Sequence, residues 1–440
     1  MSETILQFGT GNFLRAFICD FIDSLNAQGL YGGSIVVVSP TDSINVGKIN
    51  AVSGRYGLIL RGISGGEVFE SSRTLACISR AINPYRSFPE FLGLAAAPEL
   101  RFIVSNTTEA GIAFDPSCGF GDEPPASFPA KLTRFLFERY RLGGRGFVIL
   151  PCELIEDNAG RLREYVKKYA ALWQLGAEFE EWLDSENVFC ETLVDRIVSG
   201  FSQQDSDRIF TETGERDELL TVAEPYHLWA VAGDFERELP LKRGGVNVIW
   251  DADVAAAREM KVRLLNGSHT SMVFLSMLCG VQTVAESLKD PALRAFLDGW
   301  TGRCAMPTLG DSPRCREFAS AVYERFSNPF LHHRWSSISL NSVSKFTARV
   351  LPTARELYKA GAPVKIPALS LAALVTYYKE NDVSDSPDAV RSVRDNGLAR
   401  ITADRGLWGE DVSFLLPDAG RASELLREKG AAEAIQWSLS

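Results

Sequence analysis

Several residue types and patterns are scarce in this chain of 440 residues, and each scarcity removes a class of function. Histidine occurs only four times, and none of the eight cysteines (Cys19, Cys77, Cys118, Cys152, Cys190, Cys279, Cys304, Cys315) stands in a C-x-x-C pair. A structural zinc site needs clustered thiolates and imidazoles, so no metal is expected; buried free thiols in a reducing compartment are the simpler reading. No run of Lys and Arg occurs, and the formal net charge is -10. A nucleic-acid partner is therefore not expected, because phosphate binding needs a basic face. No apolar run is long enough to span a bilayer, and Met1-Ser2-Glu3-Thr4 lacks the basic start and apolar core of a secretion signal. The expected setting is cytoplasmic, without a membrane partner. The sequence leaves the oligomeric state open.

What is present is the make-up of a globular protein, 45% apolar and 23% charged, with enough length for two or three domains. Over the first 150 residues strand and helix signals alternate. Ile5-Leu6-Gln7-Phe8 reads as a strand, followed by a helix from Asn12 to about Gln28. Ser34–Val38 is a continuous apolar, β-branched run, as in a strand buried on both faces, and Phe102–Val104 and Phe147–Leu150 repeat the signal. Leu58–Arg61 and Glu67–Glu70 read as an inserted hairpin. After the strand Asn247–Trp250 helical patterns dominate: Val254–Leu265, Thr270–Leu278, Pro291–Thr301, Cys315–Ser327 and Ala368–Lys379. The predicted class is α/β, with a Rossmann-like N-terminal domain over residues 1–250 and a mainly α-helical domain over residues 251–440.

The first strand runs into Gly9-Thr10-Gly11-Asn12-Phe13-Leu14, a G-x-G-x-x-L turn. The first glycine permits a tight strand-to-helix turn; the second lets a pyrophosphate approach the backbone. An ordinary βα turn would look similar. Its place directly after strand one, opening a helix, favours a dinucleotide site built on Gly9, Thr10, Gly11, Asn12 and Phe13. The acid that binds the ribose is expected at the end of strand two. That strand ends in Ser39-Pro40-Thr41-Asp42, so Asp42 is the candidate, unless it is a solvated loop residue. No cation follows nearby in sequence before Lys48, which favours NAD over NADP.

In the helical half, Lys261-Val-Arg-Leu-Leu-Asn266-Gly-Ser-His269 spells K-x4-N-x2-H. On an α-helix Asn266 lies roughly 140° from Lys261, with His269 between them, so the three line one side. A desolvated lysine can serve as a proton acceptor, and Asn and His can hold and polarise an oxygen. Gly267 is expected to loosen the turn. The plainer alternative is a surface lysine beside a capped helix junction.

These segments together resemble the polyol-specific long-chain dehydrogenases/reductases, the mannitol dehydrogenase family, along nearly the whole chain. The resemblance is carried by Gly9–Phe13, Ser105-Asn106-Thr107-Thr108-Glu109, Val194-Asp195-Arg196-Ile197 and Lys261…Asn266…His269, in that order. It implies NAD as cofactor, no metal, and catalysis by Lys261, Asn266 and His269. Thr107 and Thr108 are expected in the cofactor loop, and Glu109 either caps a helix or gates the nicotinamide. Asp195 and Arg196 either contact substrate at a strand end or form an internal salt bridge. His333 and Lys345 are candidates to hold a carboxylate or hydroxyls, against a solvated helix start for His333.

The chain also departs from the mannitol dehydrogenases. They carry an Arg eight residues before the Lys of a D-G-S-S-K stretch; here Lys345 remains, but Ser337 takes the Arg position and Asn341 the Asp position. Their Cys-Asp-Asn segment is Cys152-Glu153-Leu154. Within the family the chain is most similar to the branch that interconverts tagaturonate and altronate, through Ile5–Ala16, Val104–Ile112, Pro129–Tyr140, Pro151–Ile155 and Thr192–Gly200. The expected substrate is a small sugar acid, with fructuronate, mannitol or mannitol phosphate as alternatives. A cofactor-binding regulator without activity is disfavoured by the retained Lys261, Asn266 and His269. An anionic substrate on an acidic protein requires local cations.

Overall fold

The computed structural model describes residues 1–214 and 216–440. The chain forms two compact units, one of Met1–Arg61 with Val68–Ala255, the other of Gly62–Glu67 with Ala256–Ser440.

The first unit is built on a six-stranded parallel sheet. Its order is Ile78–Ile82, Gly33–Val38, Ser2–Phe8, Phe102–Ser105, Val148–Pro151, Val188–Phe189. Counted within the sheet this is 3-2-1-4-5-6, the doubly wound order, whose direction reverses between Ser2–Phe8 and Phe102–Ser105. The strands are buried throughout their inner stretches because both faces are covered. Ile5, Ile35, Val37, Val104 and Leu150 join one core, and Leu6, Phe8, Val36, Ile103 and Ile149 the other. This is the period-2 alternation of a pleated strand applied to two apolar layers. The predicted hairpin is there, as Tyr56–Ser64 and Glu67–Leu75 in a four-stranded sheet. A three-stranded sheet holds Thr192–Asp195, Leu228–Ala232 and Val248–Asp251.

The helix expected over Asn12–Gln28 is two helices, Asn12–Arg15 and Ile18–Ala27, broken at Phe17. The carbonyls of Arg15 and Ala16, which a continuous helix would pair internally, instead accept from Tyr56 Oη at 2.8 Å and Arg196 Nη1 at 2.7 Å. Both donors are remote in sequence, so nothing local announces the break.

The second unit is helical. Gly267–Leu278 and Lys365–Glu380 pack on each other and are buried nearly all round, as central helices must be. Where a single helix Val254–Leu265 was predicted, Ala255–Met260 is α and Lys261–Asn266 is a π-helix, continuing without a break into Gly267–Leu278. Among the described residues no helix is long and apolar enough to cross a membrane. All eight cysteines are free, and all but the half-buried Cys279 are buried.

Candidate functional site

In the first unit the residues expected to hold a dinucleotide follow the carboxyl ends of the parallel strands, where the strand order reverses. Gly9 follows Phe8 with φ +131°, and a Cβ there would lie 2.8 Å from the Asn106 carbonyl oxygen, which follows the neighbouring strand. Only glycine fits such a conformation and approach. Its turn is fixed by Gln7 Nε2 donating to Gly9 O at 2.8 Å. Gly11 is different: a Cβ there would meet nothing within 4 Å, so open space faces the backbone where a pyrophosphate would come. Arg15, itself buried, donates to Thr10 O and to Asn12 Oδ1, each at 2.5 Å, and so sets the loop from beneath. Phe13 stacks on Phe17 with ring centroids 5.0 Å apart and packs against the core, which makes it a support of the loop.

Thr107 is held by a residue that sequence reasoning left out of the site. The carboxylate of Glu153, buried just past strand Val148–Pro151, accepts from Thr107 N and Thr107 Oγ1 at 2.9 Å each and from Ser105 Oγ at 3.0 Å. Burial pushes its pKa up, while those hydrogen bonds work the other way. The signal was present: an acid directly after an apolar strand whose carboxyl end lies in the ligand-binding layer. Thr108 adopts φ +79°, an uncommon conformation for a β-branched residue, in the turn closed by Gly111 N on Thr108 O at 3.0 Å. Glu109 is exposed in that turn, and the next helix begins only at Phe128; it caps no helix.

Asp42 accepts from Asn83 Nδ2 at 2.8 Å and pairs with Arg86 at 3.2 Å; the Asn83 hydrogen bond, then Arg86, holds its pKa below the usual range. The expectation that no cation stands at the end of strand two is therefore corrected. Arg86 arrives there from the loop after the third strand of the sheet, which sequence proximity to Asp42 did not reveal. Arg196 is likewise resolved: its buried guanidinium pairs with Asp20 at 2.6 Å and donates to Glu224 O and Ala16 O. It forms the internal salt bridge that the sequence offered as one of the two readings. Asp195 is buried at the end of its strand, opposite Leu228.

In the second unit the K-x4-N-x2-H segment begins on the π-helix. Bonds there close i→i+5, as Gly267 N to Val262 O does, so residues five apart stack on one face. Lys261 and Asn266 are five apart. The angular separation expected from an α-helix is thus replaced by a closer alignment. The wide turn is stabilised by side chains: Trp300 Nε1 donates to Arg263 O at 3.1 Å and Ser268 Oγ to Leu264 O at 2.5 Å. Arg263 holds Glu356 with two bonds of 2.6 Å. Gly267 is helical, at φ −62°, and does not loosen the turn; it lets Trp300 and the Arg349 carbonyl approach. Asn266 is half-buried, and its amide has no side-chain hydrogen bond among the described residues.

His269 is buried, stacked on Phe326 at 4.3 Å and edge-on to His333 at 5.0 Å. Burial first, then His333, Arg325, Arg349 and Lys345, holds its pKa well below the ordinary value, so the ring is neutral. His333 is half-buried and also shifted down by burial. Lys345 Nζ donates to Ile338 O at 2.9 Å. The predicted His269, His333 and Lys345 are thus brought together, and the structure adds two cations, Arg325 and Arg349.

Comparison with known proteins accounts for both units. The mannitol dehydrogenase Rossmann domain matches residues 3–242, and the mannitol dehydrogenase C-terminal domain residues 253–436. The chain belongs to the mannitol dehydrogenase family. By that membership it is an oxidoreductase of a sugar or polyol substrate. It is 38% identical to the altronate oxidoreductase of Halalkalibacterium halodurans over 100% of this chain and 94% of that one. With the altronate oxidoreductase of Bacillus subtilis it shares 37% over 93% and 89%. In fold it is similar to a substrate-free D-sorbitol dehydrogenase, with TM-score 0.87 at 22% identity over 99% and 95% of the two chains. The mannitol 2-dehydrogenase of Pseudomonas fluorescens, solved with NAD and D-mannitol, gives TM-score 0.73 at 23% identity over 100% and 94%. Ser337 is exposed on the short helix Trp335–Ile338.

Proposed function

We propose that this mannitol dehydrogenase family member is an NAD-dependent reductase of a keto-hexuronate, with tagaturonate and altronate as its substrate pair. The observation that carries the reading is the cationic surround of His269, formed by Arg325, Lys345 and Arg349 with His333, in a chain whose net charge is -10. A sugar acid, whose carboxylate is a full negative charge, gains more from such a concentration of cations than a neutral polyol does. The relatives named altronate oxidoreductase, at 37–38% identity, support the same substrate.

NAD fits the first unit. The open space at Gly11, the glycine turn at Gly9 and the loop pinned by Glu153 suit a dinucleotide lying across the switch point. Asp42, with its carboxylate formed and partnered, suits the ribose hydroxyls, and its pairing neutralises Arg86 as a phosphate receptor. Bound NAD supplies the hydride chemistry. Lys261 takes the proton of the substrate hydroxyl in oxidation and returns it in reduction. Asn266, with its unpaired amide, and neutral His269 hold the substrate oxygen and stabilise charge that develops on it, at about 3 kcal/mol for a well-placed donor. Leu154, Ser337 and Asn341, where the mannitol dehydrogenases carry polar or charged groups, remove contacts a polyol would use.

The test is a substrate panel with purified protein and NADH: tagaturonate, fructuronate, fructose, and, in the reverse direction, altronate, mannitol and mannitol phosphate. Tagaturonate is expected to give the highest kcat/KM; fructose or mannitol turnover equal to it would overturn the assignment. Lys261→Ala should lower turnover by about 10²–10⁴-fold with NADH binding intact. The rise of the oxidation rate with pH should vanish in the same variant.

A further inference from the structure

We propose that Arg349 is the residue that receives the substrate carboxylate and so determines acid over neutral sugar; this rests on the keto-hexuronate reading above. Arg349 closes the helix Ser342–Arg349, which packs on both the π-helix and the helix Gly267–Leu278. Its carbonyl oxygen lies 3.2 Å from the position a Cβ would take on Gly267, so its backbone is fixed against the turn that carries Asn266 and His269. Its guanidinium is half-buried and has neither a hydrogen bond nor an ion pair among the described residues. By contrast, Arg263 is engaged by Glu356, Arg196 by Asp20 and Arg61 by Asp205.

Lys345 lies one turn earlier on the same helix, where like charges repel. The nearest acid on that side, Asp385, is already used by Tyr378 Oη at 2.6 Å and Val343 N at 2.9 Å. Burial lowers the pKa of both Arg349 and Lys345, and each other's charge adds to the cost for Lys345. The fold thus holds two neighbouring cations without an acid for Arg349, an arrangement that an anionic ligand relieves. Between the two, Arg349 is the better carboxylate receiver. Its planar fork can give two parallel bonds, whereas the Lys345 ammonium already donates to Ile338 O.

The test compares Arg349→Met and Arg349→Lys with the parent enzyme on tagaturonate and on the neutral ketose tagatose, with NADH. In Arg349→Met, kcat/KM for tagaturonate should fall at least about tenfold, the scale of one hydrogen bond to a charged group, mainly through KM. With tagatose it should be unchanged, and Arg349→Lys should recover part of the loss. Circular dichroism with thermal unfolding reports whether each variant is folded. If Arg349→Met does not fold, Arg349→Lys carries the test, with a loss for tagaturonate and none for tagatose. Equal losses on both substrates, or an unchanged KM for tagaturonate, would overturn the assignment while leaving the substrate reading intact. A parent enzyme that does not reduce tagaturonate would overturn the reading and this inference with it.

Discussion

Replacing Gly267 by alanine sets two known effects against each other. In a helix interior alanine is favoured over glycine by about 0.5–1 kcal/mol. Here the new Cβ would stand 2.9 Å from Trp300 Cζ2 and 3.2 Å from the carbonyl oxygens of Arg349 and Val262. Carbon contacts settle at about 3.5–4.0 Å, so something must move. Two of the three atoms are backbone, and the third belongs to a fully buried ring tied by Nε1 to Arg263 O at 3.1 Å. Overpacking of this kind costs about 1–3 kcal/mol and exceeds the propensity gain. Gly267→Ala should therefore lower the melting temperature by a few degrees, since a unit this size shifts about 2–4 °C per kcal/mol. It should also lower kcat more than tenfold, because relief of the clash shifts the turn carrying Asn266. Thermal unfolding and steady-state kinetics on the same preparation read both. A Gly267→Ala enzyme that melts higher and turns over normally would show that the close approach does not constrain the site.

Three further outcomes follow from the first unit. Gly11→Val should abolish NADH binding without unfolding the protein, because a Cβ there meets no protein atom within 4 Å; calorimetric titration with unchanged affinity would remove the loop from the site. Asp42→Ala frees Arg86 and should raise kcat/KM with NADPH relative to NADH, and an unchanged ratio would place the ribose elsewhere. Lys131 is buried, and burial brings its pKa down from 10.5 to about 8. The unfolded chain then binds more protons between those values, so stability rises with pH across about 8 to 10.5, by on the order of 3 kcal/mol. Below pH 8 the fold bears the full cost of the charge. The stability difference between parent and Lys131→Met, measured by denaturant at pH 7.5 and 10.5, should shift in the parent's favour by that amount; a constant difference would refute it.

The parallel sheet was legible because its information is local. Ser34–Val38, short and β-branched, reads as a strand buried on both faces, and an alternation of such runs with helices admits few topologies. The breaks in that scheme were not legible because their causes are distant. The helix after Gly11 ends at Arg15 because Tyr56 and Arg196 take its carbonyls. The widening at Lys261–Asn266 is stabilised by Trp300, more than thirty residues away. No propensity scale distinguishes an α-turn from a π-turn in K-V-R-L-L-N, so the α-helical pitch misplaces Asn266 relative to Lys261.

The same division governs the site. The tight turn at Gly9 was legible, since a glycine's backbone freedom is a property of the residue itself; Gly11, at φ −73°, counts only through the side chain it lacks. Asp42 and Arg196 were ambiguous, since whether a charge is paired depends on what the fold brings to it: Arg86 to the first, Asp20 to the second. Arg349 is the instructive case. In sequence it is one more arginine at the end of a helix, where a cation complements the dipole and attracts no notice. In the structure it stands near His269 with no acid partner, while an acidic chain offers ten more carboxylates than cations to choose from. A protein with that surplus can leave a guanidinium beside His269 unpaired only if no carboxylate side chain reaches it. That is the condition under which the charge would be available to a carboxylate brought by a substrate, as the proposed role of Arg349 requires.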